Sequence, residues 1–344
     1  RQLMVRLVKG AYWDAEIKHA QIEGLPGFPV FTRKASTDLS FLVCARMLLD
    51  TEGRIYPQFA THNAHTVAAI MELAGDDRNF EFQRLHGMGE LLYDVCIAAW
   101  NDFPPLRTYA PVGEHEDLLA YLVRRLLENG ANSSFVNRFL DERHPVEEVV
   151  TDPVAEVRAT DAIPHPDIPL PEDLFAPRRN SVSLDLASRA ELRRLAAAYE
   201  ALDGTHFEAG PVVGGRMKDG TALEVRDPSD RRRLVGTVAM ADASLLDAAV
   251  SGARAAQPDW DARGGAGRAE VLERIADLYE ANLDRLMYIA CREAGKNLPD
   301  ALAEAREAVD FCRYYASRAR ELFGAPVDLP GPTGERNQLM LEGR

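Results

Sequence analysis

Cysteine is scarce: Cys44, Cys96, Cys291 and Cys312 are the four in 344 residues. They lie far apart, and none forms a C-x-x-C pair or a zinc-ligand spacing, so neither a disulfide framework nor a structural zinc site is expected. The apolar neighbours of Cys44 and Cys96 point to buried, reduced thiols and a cytosolic setting. Long apolar runs are also missing. No window approaches 18 uncharged apolar residues, so no transmembrane helix is expected. Positive charge is in deficit, with 40 Lys and Arg against 54 Asp and Glu, a net charge of −14. Nucleic acid and anionic lipid both demand a basic face, so neither is expected to bind this segment through its charge. An initiator Met is absent. The chain opens in the apolar run Leu3–Val8 and closes in another, Gln338–Arg344, which is expected of an internal piece of a longer polypeptide.

What remains is an ordinary globular composition, 46% apolar and 27% charged, long enough for two domains. From residue 1 to 140 strand-like and helix-like runs alternate. Strands are expected at 3–10, 54–61, 80–85 and 107–112. Helices are expected at 14–22, 37–49, 64–73, 90–100 and 115–128. The second helix carries Leu39, Leu42, Val43 and Met47 on one face, and Asn129-Gly130 closes the last. Such alternation implies βαβ units and a parallel sheet. Four units are visible and eight close a barrel, so the fold class read here is α/β, half of a (β/α)8 barrel. Polar residues gather toward the strand ends, at Lys9, Thr61-His62-Asn63, Gln83 and His86, where barrels bind ligands.

Residues 141–205 change character. Seven of the 20 prolines lie between Pro145 and Pro177, and 163–171 is too proline-dense for a helix or a central strand. An extended linker is expected, followed by a capping box, Ser188-Arg-Ala-Glu191, that opens a helix to about Leu202. Residues 206–344 form a second region. Short strands are expected near 212–215, 222–226 and 234–238, then helices at 244–257, 268–291 and 299–323. Gly264-Gly-Ala-Gly267 lacks both a preceding strand and a Gly-Lys-Ser/Thr, and is read as a loop.

Several constellations could carry chemistry. Arg6 sits inside an apolar strand, where it must be ion-paired or face a ligand. Gly10-Ala11 permits close backbone approach. Tyr12 and Trp13 could stack on a ring or simply fill a core. His62 and His65 sit three apart without a carboxylate or thiol cluster, which suits polar ligand contacts better than a metal. Tyr121, Arg124, Arg125 and Glu128 share a helix face, either as solvated charge or as a paired guanidinium grip for a carboxylate.

These residues carry a resemblance. The runs Val5–Trp13, Phe59–Asn63, Phe80–Gly89 and Tyr121–Gly130 resemble proline dehydrogenase. Asp227-Pro228, Val235-Gly236, Trp260, Arg268-Ala269 and Glu293–Lys296 resemble the opening of an aldehyde dehydrogenase domain. That order is similar to the bifunctional proline-utilisation enzymes. The resemblance implies an FAD barrel that oxidises L-proline to pyrroline-5-carboxylate, and an NAD-dependent domain that oxidises glutamate semialdehyde to glutamate. It implies that Arg124, Arg125, Tyr109, Tyr121 and Tyr12 form the proline pocket. It implies that Arg6, Lys9, Gly10, Ala11, Trp13, Thr32, Thr61, His62, Asn63, Gln83 and Leu85 lie against FAD. Further implications are the quinone pool as electron acceptor, a homo-oligomer, and a cytoplasmic place with peripheral contact at the inner membrane face. On the same resemblance the first four barrel strands, the aldehyde dehydrogenase nucleophile and the NAD phosphate loop lie outside this chain, so it is expected to be inactive alone. The competing expectation is a non-catalytic scaffold derived from that family.

Overall fold

The computed structural model describes residues 2–10, 12–51, 53–130 and 151–341, and the side chains of 122 and 124–130 fall outside the description. The chain divides into two compact units, residues 1–17 with 28–168, and residues 18–27 with 169–344. Among the described residues no helix is long and apolar enough to cross a membrane.

The first unit runs β1 (Leu3–Val8), the start of α1 (Trp13–Glu23), α2 (Lys34–Leu49), β2 (Ile55–Ala60), α3 (Ala64–Ala74), β3 (Glu81–Leu85), α4 (Glu90–Ala99), β4 (Leu106–Tyr109), α5 (His115–Gly130) and α6 (Pro153–Arg158). Its four strands pair in parallel in the order β1-β2-β3-β4. Side chains alternate across a strand, so this sheet has two distinct faces. One face packs Leu7, Phe59, Phe82 and Leu106 into a core with Phe41, Val67, Ile70, Phe80 and Tyr93. Phe59 meets Phe80 edge-on at 5.5 Å, and Phe82 stacks on Phe103 at 5.3 Å. The opposite face carries Arg6, Gln58, Glu81, Gln83, Arg107 and Tyr109. Register sets them side by side: Arg6 pairs Gln58, Gln58 pairs Glu81, and Gln83 pairs Arg107.

All four expected strands are present within about three residues of their expected ends. One helix face is rotated from expectation. In α2 the buried residues are Ala35, Phe41 and Ala45, whereas Val43 and Met47 are exposed. The small Ala45 side chain lets the helix approach the sheet, and Phe41 fills the core beside it. Apolar spacing alone favours the longer side chains.

The second unit holds α7 (Arg189–Leu202), β5 (Phe207–Ala209), β6 (Val212–Val213), β7 (Arg216–Met217), β8 (Thr221–Arg226) and β9 (Leu234–Met240). The helices α8 (Ala243–Ala262), α9 (Gly264–Ala281), α10 (Leu283–Ala294) and α11 (Leu298–Leu322) follow, then β10 (Val327–Leu329) and β11 (Asn337–Leu339). Strand β9 lies between β5 and β8, while β6 pairs β7 and β10 pairs β11. Ser188 caps α7 by accepting from the Glu191 N–H at 3.5 Å, as the capping box predicts. Three expectations are corrected. Gly264–Gly267 is the first turn of α9 and not a loop. Gly265 donates its N–H to the Phe323 carbonyl at 3.1 Å, and a Cβ there would stand 2.3 Å from the Ala319 carbonyl oxygen. Glycine at this point serves close helix packing. The single helix expected at 268–291 breaks at Asn282, which caps the end of α9. Helix α8 runs past Pro258 to Ala262 instead of stopping before it.

In the proline-rich stretch, residues 153–158 coil into α6, with Asp152 as N-cap and proline at the first helical position, and 171–173 form a 3-10 turn. The remaining described part is a series of turns and bends up to Arg178, where an extended linker was expected, and runs without regular structure over 179–185. Within the second unit, Ser181 donates from both N and Oγ to Asp310, at 2.6 and 2.9 Å.

Candidate active site

The polar face of the first unit is one connected network. Glu81 is buried, with 2% of its surface exposed. Its Oε1 accepts from Gln58 Nε2 at 2.7 Å, Gln83 Nε2 at 2.8 Å and Arg107 Nε at 2.7 Å, and its Oε2 accepts from Arg107 Nη2 at 2.8 Å. The Arg107 hydrogen bonds hold the Glu81 carboxyl below its ordinary range against the opposing effect of burial, with help from Gln83 and Gln58. Gln83 in turn accepts from Arg6 Nε at 2.9 Å through Oε1. The Arg6 guanidinium lies 5.0 Å from the centre of the Tyr109 ring. The ion pair weighed for Arg6 is therefore not found among the described residues: its partners are an amide and a ring.

At the end of β1, Lys9 bridges two helices. Its ammonium donates to Thr66 Oγ1 at 3.0 Å and pairs with Asp38 at 2.6 Å. Lys34 pairs with the other Asp38 oxygen at 2.5 Å. Burial lowers the Lys9 pKa and outweighs the attraction of Asp38. Asp38 goes down as well: burial alone would raise it, but Lys9 and Lys34 together prevail. A polar cleft of about 80 Å³ opens here, lined by Lys9, Lys34, Asp38, Asn63, His65 and Thr66 among others.

The loop after β2 is held from three directions. Tyr93 Oη donates to the Thr61 carbonyl at 2.9 Å, and Thr61 Oγ1 accepts from the Asn63 N–H at 3.2 Å. Asn63 Oδ1 caps α3 by accepting from Thr66 N at 3.0 Å. His62 Nε2 accepts from the Leu85 N–H at 3.0 Å, which requires a lone pair on that nitrogen. Gly89, at φ +69, leaves room for the His62 ring; a Cβ there would sit 3.0 Å from Cδ2. Among the described residues no group of three His, Cys, Asp or Glu side chains could hold a metal.

Geometry thus joins Arg6, Gln83 and Tyr109 in one cluster, and Lys9, Asn63 and Thr66 in a second. A third joins Thr61, His62 and Leu85. Trp13 Nε1 donates to the Phe31 carbonyl at 2.6 Å. Next to it, Thr32 Oγ1 accepts from the His165 N–H at 2.8 Å. Gly10 has open space where a Cβ would stand. Tyr12 is exposed and Tyr121 half-buried. Ala11 and the side chains of Arg124 and Arg125 lie outside the described residues. Sequence reasoning missed Glu81, Asp38 and Thr66. A signal for Glu81 was present: it alternates with Gln83 in Phe80-Glu-Phe-Gln-Arg-Leu85, placing both polar side chains on one strand face.

The family model for proline dehydrogenase matches residues 1–138, and that for the aldehyde dehydrogenase family matches residues 216–342. Over 96% of its length the chain is 48% identical to the bifunctional protein PutA of Klebsiella aerogenes, and 45% identical to that of Rhizobium meliloti. It spans about a quarter of these relatives, 26% and 27% of their lengths. A crystal structure of a bifunctional proline utilization A protein superposes over 100% of the chain and 32% of its own, with a TM-score of 0.85 and 49% identity. The fold is the mixed α/β fold of those proteins: a barrel-type proline dehydrogenase region, then the opening of an aldehyde dehydrogenase domain.

Proposed function

From a chain that joins a proline dehydrogenase segment to an aldehyde dehydrogenase segment in the PutA order, we propose that it supplies part of a flavin and proline site in an enzyme of proline breakdown. The parent enzyme oxidises L-proline to pyrroline-5-carboxylate with FAD, then glutamate semialdehyde to glutamate with NAD. One observation carries the reading: Arg6 is a cation held in place without a carboxylate partner among the described residues, on the polar face of the sheet.

The donor set suits a flavin. Arg6 and Gln83 offer N–H groups, Lys9 an ammonium beside the start of α3, and Gly10 an unobstructed backbone. FAD, when bound, takes up the two electrons that leave the substrate. The chain's own residues orient and neutralise. Arg6 places positive charge where a reduced, anionic ring is favoured, and Arg124 and Arg125 grip the substrate carboxylate while Tyr109 and Tyr121 flank it. Lys9, with Asn63 and Thr66, lines the cleft that receives polar parts of the cofactor. The quinone pool, a homo-oligomer and a cytoplasmic place at the inner membrane face complete the reading.

The test uses the complete protein that contains these residues. It is expected to purify with a flavin absorbance band and to bleach that band when L-proline is added anaerobically. A protein that binds no flavin, or whose flavin is not reduced by proline, sinks the reading.

A further inference from the structure

The polar network does more than fill the sheet face. Glu81 is 2% exposed, and burying a carboxylate costs several kcal/mol unless it is fully paired. An apolar pair of similar volume often stabilises as well or better, so stability alone is a weak account of this charge. Gln83 stands between Glu81 and Arg6, and an amide can sit in two orientations that differ by a flip. Glu81, ionised and clamped by Arg107, only accepts, while Arg6 Nε only donates. A flipped Gln83 would set oxygen against oxygen at Glu81 and N–H against N–H at Arg6. Only the observed orientation, Nε2 toward Glu81 and Oε1 toward Arg6, satisfies both ends.

We propose that Glu81 is a positioning residue for Arg6: through the Gln83 amide it fixes the guanidinium without neutralising it. The contrast with Lys9 makes the point, since Lys9 pairs directly with Asp38 at 2.6 Å. Among the described residues Arg6 instead is held by a neutral amide on one side and the Tyr109 ring on the other, an arrangement that leaves its charge available to a ligand. Its side-chain hydrogen bond among the described residues is made by Nε, and none by the two Nη groups, which are therefore the groups proposed to meet that ligand. Arg107, about half exposed, completes the line as the clamp on Glu81. This inference rests on the placement of Arg6 beside the flavin proposed above.

The experiment is a double-mutant cycle in the complete flavoprotein, read by the flavin midpoint potential and by flavin retention on dilution. Arg6→Met is expected to lower both. Glu81→Gln is expected to move both in the same direction and to weaken retention about tenfold, the size of one well-placed charge-assisted hydrogen bond. In the Arg6→Met background Glu81→Gln is expected to add nothing, because its effect passes through Arg6. If Arg6→Met shifts the flavin but Glu81→Gln does not, or if the two effects add, the positioning role is overturned. If Arg6→Met itself changes neither readout, the placement of Arg6 at the flavin fails instead, and the relay with it. Should Glu81→Gln not fold, Arg107→Met takes its place, since it removes the exposed clamp; it is expected to shift retention only while Arg6 is present, and an equal shift without Arg6 overturns the role.

Discussion

Asp38 holds two lysines at once, and that makes it the best single residue for a pH test. Its carboxyl is lowered because Lys9 and Lys34 outweigh the effect of burial. A depressed carboxyl contributes stability that is present above its unfolded pKa, about 3.9, and is lost as pH falls through the folded value. Asp38→Asn is expected to cost about 1–3 kcal/mol at pH 7, less than a fully buried pair because both partners keep some solvent contact. Urea titrations should show that deficit shrinking as pH falls below the unfolded value of about 3.9 and vanishing once the folded carboxyl has also taken up its proton. A deficit that stays constant with pH would mean that Asp38 acts by packing alone. The paired arginines give a second test. Arg125→Met in the complete enzyme is expected to lower kcat/KM for proline about ten- to a hundredfold, from the loss of a charge-assisted contact of about 1.5–3 kcal/mol. Much of the loss should fall on KM. Oxidation of added pyrroline-5-carboxylate should be nearly unchanged, and a parallel fall of both activities would show unfolding instead of a lost grip. At this scale the sequence revealed that Arg6 needed a partner or a ligand, because arginine in an apolar strand has few alternatives. It hid the partner, because Gln83 and Glu81 come from a strand 77 and 75 residues away, and only parallel pairing brings them to Arg6.

Two glycines in neighbouring helices should respond in opposite directions to the same substitution. Gly252 lies in α8, with nothing within 4 Å of the point where a Cβ would stand. Gly252→Ala should gain about 0.5–1 kcal/mol from helix propensity. Gly265, in the first turn of α9, would place its Cβ 2.3 Å from the Ala319 carbonyl oxygen. That neighbour is backbone of α11, in the cluster of Ala269, Ala316 and Ala319, and cannot swing aside. Gly265→Ala should therefore cost about 1–3 kcal/mol despite its better propensity. Chemical denaturation of the two variants decides it, and a stabilised Gly265→Ala would show that α9 and α11 can separate freely. The same pair explains what sequence reading can see of these elements. Long periodic runs such as α11 are legible to within a residue, because period and capping agree. Gly264–Gly267 is misread because glycine signals a loop and a close helix contact equally well, and only the position of Ala319 separates them. The break at Asn282 is hidden because apolar periodicity continues across it at spacings of three and four, from Ala276 and Tyr279 to Leu283 and Met287.

At the scale of the whole molecule, the sheet of the first unit has two edges among the described residues, β1 and β4, each paired on one side only. Edge β1 is apolar and open: Leu3 is 67% exposed, Met4 56% and Val8 47%. A flat apolar strand with unpaired backbone groups recruits other strands. The net charge of −14 opposes random clumping by self-repulsion, but salt screens that repulsion within about 10 Å at 0.1 M and leaves edge pairing untouched. The 344-residue chain produced alone is therefore expected to associate as concentration rises, and more strongly in high salt. Light scattering across a salt series measures this directly. Replacing Leu3 and Met4 by lysine should suppress association, because charge at an edge strand disfavours pairing, while leaving the helical signal in circular dichroism unchanged. If the unaltered chain is instead monodisperse and monomeric at all salt concentrations, and melts in one reversible step, then β1 is not an adhesive edge, and the exposure of Leu3, Met4 and Val8 is compatible with a self-sufficient fold.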